Sequence, residues 1–238
     1  MISPSESTAA GTILGYHLLR EKETVVVAPG ACNVSAYLAG RAEGILRLDG
    51  DMTLDSAGDI HTVQYYNIGG SGYMFYAKGP ASGPFEVHDN LHAGWWLKTG
   101  RPSIAVDAAG KPHIVYTQLW PYYRLVYLTQ DASGAWQSQT IVTGKRTGFA
   151  GTFPEILIDG GGAIHVIYAN GLPGQLQHAT LVNSQRQFET IDSIGTQAAY
   201  GPQVGAMAAE MDSQGGIGVV YWDADDAALE YAYLAAQP

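Results

Sequence analysis

DMTLDSAGDIHTVQYY (residues 51–66), PSIAVDAAGKPHIVYT (102–117), PEILIDGGGAIHVIYA (154–169) and AAEMDSQGGIGVVYW (208–222) are four versions of one phrase. Asp55, Asp107, Asp159 and Asp212 align, as do Gly58, Gly110, Gly162 and Gly215, at intervals of 52, 52 and 53 residues. Each phrase is an apolar run, a D-x-x-G turn and a second apolar run. The Asp side chain accepts backbone N–H groups of the turn, and Gly takes the positive φ that follows.

A third run follows in each unit: YMFYAK from Tyr73, LVYLTQ from Leu125, LQHATL from Leu176 and LEYAYL from Leu229. A fourth is FEVHD from Phe85, WQSQTIV from Trp136 and FETID from Phe188. No stretch of ten residues shows helical periodicity. Four short strands per unit, repeated about every 50 residues, predict an all-β fold, a β-propeller of four-stranded antiparallel blades. Residues 14–27 match a third and fourth strand, and the last unit stops after its third. Closure of the ring by the two termini is therefore expected, with five blades as the main expectation and four as the alternative. The chain reads as a single domain over 1–238: a partial first unit at 1–45, then repeats at about 46–97, 98–149, 150–202 and 203–238.

The pattern apolar-D-x-x-G-x-x-H-apolar-x-Y, followed by L/M-x-Y, resembles bacterial propellers of the sialidase-like superfamily with BNR-type repeats. The resemblance covers residues 46–238. It implies the propeller fold and a family that includes sialidases, polysaccharide lyases, lectins and adhesins. The family's S-x-D-x-G-x-x-W box is altered here: Ser103 stands four residues before Asp107, and His replaces Trp.

Bulk composition narrows the function classes. The 238 residues are 46% hydrophobic and 14% charged, with a net charge of −10. Such an acidic chain with no basic run is not expected to bind nucleic acid, and no apolar stretch is long enough to span a membrane. Cys32 is the only cysteine, which excludes an intrachain disulfide. The N-terminus as given lacks a secretory pattern, so a cytoplasmic location is expected, or a secreted one if a signal was removed. No cofactor or metal motif is present. A monomer or homodimer is expected.

Recognition is expected where the units differ. The D-x-x-G turns are short and uniform. The loops at the opposite end are long and unequal, and they hold seven of the 12 Lys and Arg residues. The candidate ligand-binding set there is Trp95, Trp96, Lys98, Arg101, Trp120, Tyr122, Arg124, Lys145, Arg146 and Tyr200. Aromatic faces stack on sugar rings and guanidinium forks grip carboxylates. A carbohydrate or small anionic ligand is the expected partner, bound as by a lectin. The alternative is an enzyme with one central-funnel site, a lyase, hydrolase or cyclase acting on an anionic ligand such as a uronate sugar. For catalysis the candidates are His88, Glu155 and Tyr123. His88 is read in a long loop with Asp89 and His92. Glu155 heads an inner strand at the position of Asp51 and Ser103. By contrast, His61, His113 and His165 recur in the second strand and are read as hydrogen-bonded scaffold. Tyr116, Tyr168 and Tyr221 are read as packing between blades, and Asp223, Asp225 and Asp226 as surface.

Overall fold

The computed structural model describes residues 45–68, 71–95, 101–118, 123–144, 151–171, 174–182, 185–195 and 207–236. Those residues form fifteen strands and no helix. The first sheet contains β1 (Ile45–Leu54), β2 (Ile60–Ile68), β3 (Ser71–Gly79) and β4 (Glu86–Trp95). The second contains β5 (Ser103–Val106), β6 (Pro112–Gln118), β7 (Arg124–Gln130) and β8 (Trp136–Thr143). The third contains β9 (Thr152–Ile158), β10 (Ile164–Asn170), β11 (Gln175–Val182) and β12 (Gln185–Ser193). The fourth contains β13 (Met207–Met211), β14 (Ile217–Asp223) and β15 (Ala228–Leu234). Within each sheet the strands pair antiparallel in chain order. Strand β1 lies beside β5, β5 beside β9, and β9 beside β13, so the first strand of each sheet is innermost.

This is a four-bladed β-propeller. The expectation of five blades is corrected. Each inner hairpin is built on a D-x-x-G turn, and the first 44 residues contain no Asp with which to build a fifth. Residues 14–27, expected to complete the last blade, lie outside the described residues.

The turns are closed by the repeated Asp. In the first, Asp55 Oδ1 accepts the N–H groups of Ala57 at 2.9 Å and Asp59 at 3.0 Å. Asp107, Asp159 and Asp212 do the same in their turns. Gly58, at φ +83°, takes the left-handed position that an L side chain disfavours. A turn not singled out in the sequence, Asp131 to Gly134, uses the same device between β7 and β8.

The other Asp oxygen anchors the recurring histidine. His61 Nε2 donates to Asp55 Oδ2 at 3.1 Å, while Tyr76 Oη donates to His61 Nδ1 at 2.7 Å. His113 sits likewise between Asp107 and Tyr127. His165 sits between Asp159 and His178. The fourth sheet has Gly218 at the histidine's place, and the Tyr233 hydroxyl reaches Asp212 Oδ2 directly at 2.6 Å. The histidines therefore hold scaffold roles: they satisfy buried polar groups across each blade.

Blades meet through alternating faces of their second strands. Val63, Val115 and Ile167 are each fully buried, facing Tyr116, Tyr168 and Tyr221 of the following blade. Each such burial contributes about 1.5–3 kcal/mol. A bulge in the outer strand of each complete blade turns an aliphatic residue into the seam: Leu91, Ile141 and Ile191. In the fourth sheet the equivalent face carries Val220, Leu229, Tyr231 and Tyr233, all exposed among the described residues.

The outer strands depart from the sequence reading in two places. The ladder sets Arg186 opposite Leu181 just as it sets Trp136 opposite Gln130. Arg186, not Phe188, is therefore the partner of Trp136, and Phe188 is exposed. In addition β4 runs ten residues, so His88, Asp89 and His92 belong to a strand rather than a loop.

Candidate functional site: a carboxylate pair on the inner strands

Asp51, Ser103 and Glu155 stand four residues before the turn Asp on β1, β5 and β9. Each faces the same place on its neighbour strand: Val63, Val115 and Ile167. The fourth inner strand offers Ala208 there, opposite Val220. Repetition of the backbone brings three unlike side chains to one height, where they meet.

Ser103 is the hub. Its hydroxyl lies 3.0 Å from Asp51 Oδ2 and 3.2 Å from Glu155 Oε2. Ser103 Oγ also accepts the Ile156 N–H at 3.3 Å, and Asp51 Oδ2 accepts the Ile104 N–H at 3.0 Å. A hydroxyl has one hydrogen and two lone pairs. All of these contacts are satisfied together when Ser103 donates to Asp51 and accepts from a protonated Glu155. The backbone N–H already on Asp51 favours this direction, since it stabilises the acceptor carboxylate. Proton, hydroxyl and carboxylate then form one chain across three blades.

The electrostatics agree. Burial pushes the Glu155 carboxyl up to about 7, with Arg101 pulling it down and Asp51 pushing it up. The Arg101 guanidinium stands 3.8 Å from Glu155 Oε1, too far for a direct hydrogen bond. The Glu155 side chain is 15% exposed and that of Arg101 36%, so both reach solvent while Ser103 is buried. A carboxyl that titrates near neutrality beside a second carboxylate suits proton transfer to or from a bound molecule.

The remaining expected site residues divide into four groups. His88 lies on the outermost strand, with Nε2 3.0 Å from Glu86 Oε1 and its ring against Tyr76 and Trp136. Three strand spacings, about 14 Å, separate it from the inner strand, so it does not join Glu155. Tyr123 and Arg124 are at the start of the third strand of the second blade, also away from β5; the Arg124 Nε is buried without a hydrogen bond. Trp95 ends β4. Trp96, Lys98, Trp120, Tyr122, Lys145, Arg146 and Tyr200 lie outside the described residues. Asp51 and Ser103 were missing from the candidate set, although the repeat places them in register with Glu155.

Asp223 is buried rather than on the surface, because its Oδ1 caps the turn by accepting the N–H groups of Asp225 and Asp226. It lies near Asp192 and Glu230, and the Tyr221 hydroxyl donates to Asp192 Oδ2 at 2.5 Å.

No protein-family model and no curated protein matches the sequence. The resemblance to sialidase-like repeats thus rests on the repeat pattern alone. Solved structures do match. A thermostable family-43 glycoside hydrolase is similar with a TM-score of 0.50 at 9% identity, over 79% of this chain and 74% of that one. An endo-arabinase from Bacteroides thetaiotaomicron matches at 0.49 and 12% identity, over 79% and 74%. A fucose lectin from Kordia zhangzhouensis matches at 0.40 and 18% identity, over 59% and 96%. At these identities the likeness is one of fold.

Proposed function

We propose that the chain is a carbohydrate-active propeller that holds a sugar over Asp51, Ser103 and Glu155 and cleaves its glycosidic bond. The observation that carries this reading is the Glu155 carboxyl, pushed up to about 7 and linked to Asp51 through one serine hydroxyl. A carboxyl that keeps its proton near neutrality beside a second carboxyl is what glycosidic cleavage requires: one protonates the leaving oxygen, and the other supports the oxocarbenium-like centre or activates water. Glu155 takes the first role and Asp51 the second. Arg101 stands where it can pair with a sugar carboxylate, which favours an acidic sugar.

The test is product release from a panel of neutral and uronate-containing oligosaccharides, with glycan binding measured in parallel. Turnover is expected in the wild type and a loss of about 100-fold or more in Glu155→Gln, with binding retained. Binding without any release in the wild type would support a lectin instead. Neither binding nor release would remove the carbohydrate reading.

A further inference from the structure

The head of the outer strand carries an aromatic residue in the first two blades. Phe85 immediately precedes β4, and Trp136 opens β8. The Trp136 indole crosses the seam to the first blade, with its ring centroid 5.2 Å from that of Tyr76 and 6.2 Å from that of His88. In the third blade the same register position is Arg186, one step beyond Thr180, which faces His165 as Thr129 faces His113. Its guanidinium reaches across the seam to the Ile141 carbonyl at 3.5 Å, a long contact that, among the described residues, leaves most of its donors unused. Where the indole fills one seam, the next keeps a groove of about 390 Å³.

Tyr127 and Gln139 of the second blade form one wall of the groove, and Asp159, Gln185 and Arg186 of the third form the other. The volume lies within the roughly 300–1,000 Å³ of small-ligand sites. Asp159 already takes two backbone N–H groups and the His165 ring, so it is a fixed anion. A ligand must offer it hydroxyl donors and keep any negative charge toward Arg186. The two glutamine amides can donate and accept, which suits hydroxyl groups. The planar guanidinium fork suits a carboxylate.

We propose that this groove, at the turn end between the second and third blades, is a second binding site for a polyhydroxylated carboxylate of monosaccharide size, such as a uronate. It is separate from the Glu155 cluster and stands whether or not that cluster is catalytic.

The test is a titration of the full chain with sodium glucuronate, followed by amide NMR, with glucose and acetate as parallel probes. Glucuronate is expected to shift the signals of Gln139, Gln185 and Arg186 saturably, and to bind at least about 10-fold more tightly than either glucose or acetate. Arg186→Trp, which copies the filled seam, and the milder Arg186→Gln are both expected to weaken binding about 10-fold or more with melting temperature preserved. The Glu155→Gln variant should bind in the groove as the wild type does. No shifts at these residues, equal binding of glucose, equal binding of acetate, or unchanged affinity in Arg186→Gln would each overturn the proposal. Shifts confined to the surroundings of Glu155 would also overturn it while leaving the function proposed above intact.

Discussion

A carboxyl that the fold keeps protonated until about pH 7 makes the protein less stable as the solution becomes more basic. The unfolded chain releases the Glu155 proton near 4.5, while the folded chain holds it to about 7. Between those values the folded state binds more protons, so stability falls as pH rises through the window. The total is on the order of 3 kcal/mol at most. Glu155→Gln removes this dependence. It is expected to melt higher than the wild type at pH 8 and to differ little at pH 4, as checked by thermal denaturation at both values. A Glu155→Gln variant that melts lower at pH 8 would mean that the ionised carboxylate stabilises the fold. If Glu155 is the general acid, kcat/KM should also fall as pH rises through about 7.

At the scale of the element, the third blade carries a proton problem that its neighbours lack. In the first two blades a tyrosine donates to the histidine, which in turn donates to Asp, and a neutral imidazole satisfies both bonds. In the third, His165 Nδ1 meets His178 Nε2 at 3.0 Å, and His178 Nδ1 meets Glu189 Oε1 at 2.6 Å. Two neutral rings hold one proton too few for the three contacts from Asp159 to Glu189. Burial, against the pull of Glu189, lowers the proton affinity of His178, so this ring loses stability for the fold as pH drops below 6.5. Arg186 and Tyr127 line the groove beside Asp159, at one end of this chain of contacts. His178→Tyr restores the arrangement of Tyr76 and Tyr127, since all three face the same register position. It is expected to add about 1 kcal/mol at pH 8 and to flatten the acid limb, read by denaturant unfolding across pH. Reduced stability at both ends of the range would contradict the proton count.

The same scale shows what was legible in the sequence. Asp55, Gly58 and His61 recur because every blade needs the same turn and the same buried bonds, so strands β1 to β3 and their copies could be read directly. The outer strands could not. Phe188 looks like the partner of Trp136 by residue type, but the ladder chooses Arg186, because the strand already starts at Gln185, ahead of Phe188. His88 looked like a loop residue because the bulge at Leu91 interrupts the strand's alternation. The carboxylate pair was half legible: Glu155 drew notice as a charge in an inner strand, but only folding shows that Ser103 joins it to Asp51.

For the whole molecule, the seams between blades carry the stability. Trp136 belongs to the first seam. Gly151 belongs to the second: its φ is +68°, its carbonyl accepts the Thr117 hydroxyl, and a Cβ there would run into Leu125. Trp136→Ala is expected to cost about 2–3 kcal/mol, less than a fully buried tryptophan because the ring is half-buried. Gly151→Ala is expected to cost roughly 2 kcal/mol or more through strain and clash. The two sites act on different seams, so the double variant should lose the sum within about 0.5 kcal/mol. Chemical denaturation checks this; a double variant no worse than either single one would mean that the seams do not hold the blades independently. The blade count was the least legible feature at this scale, because apolar runs before residue 45 resemble strands but lack the Asp that builds an inner hairpin.

The claim on which the function rests is that the fold holds a proton on Glu155 near neutrality. The direct measurement is a titration of the side-chain carboxyl carbons by 13C NMR, with Glu155 assigned by comparison with Glu155→Gln. A midpoint near 7 that moves in Ser103→Ala is the expected result. A midpoint near 4.5, the value of an unshifted glutamate, would contradict the account.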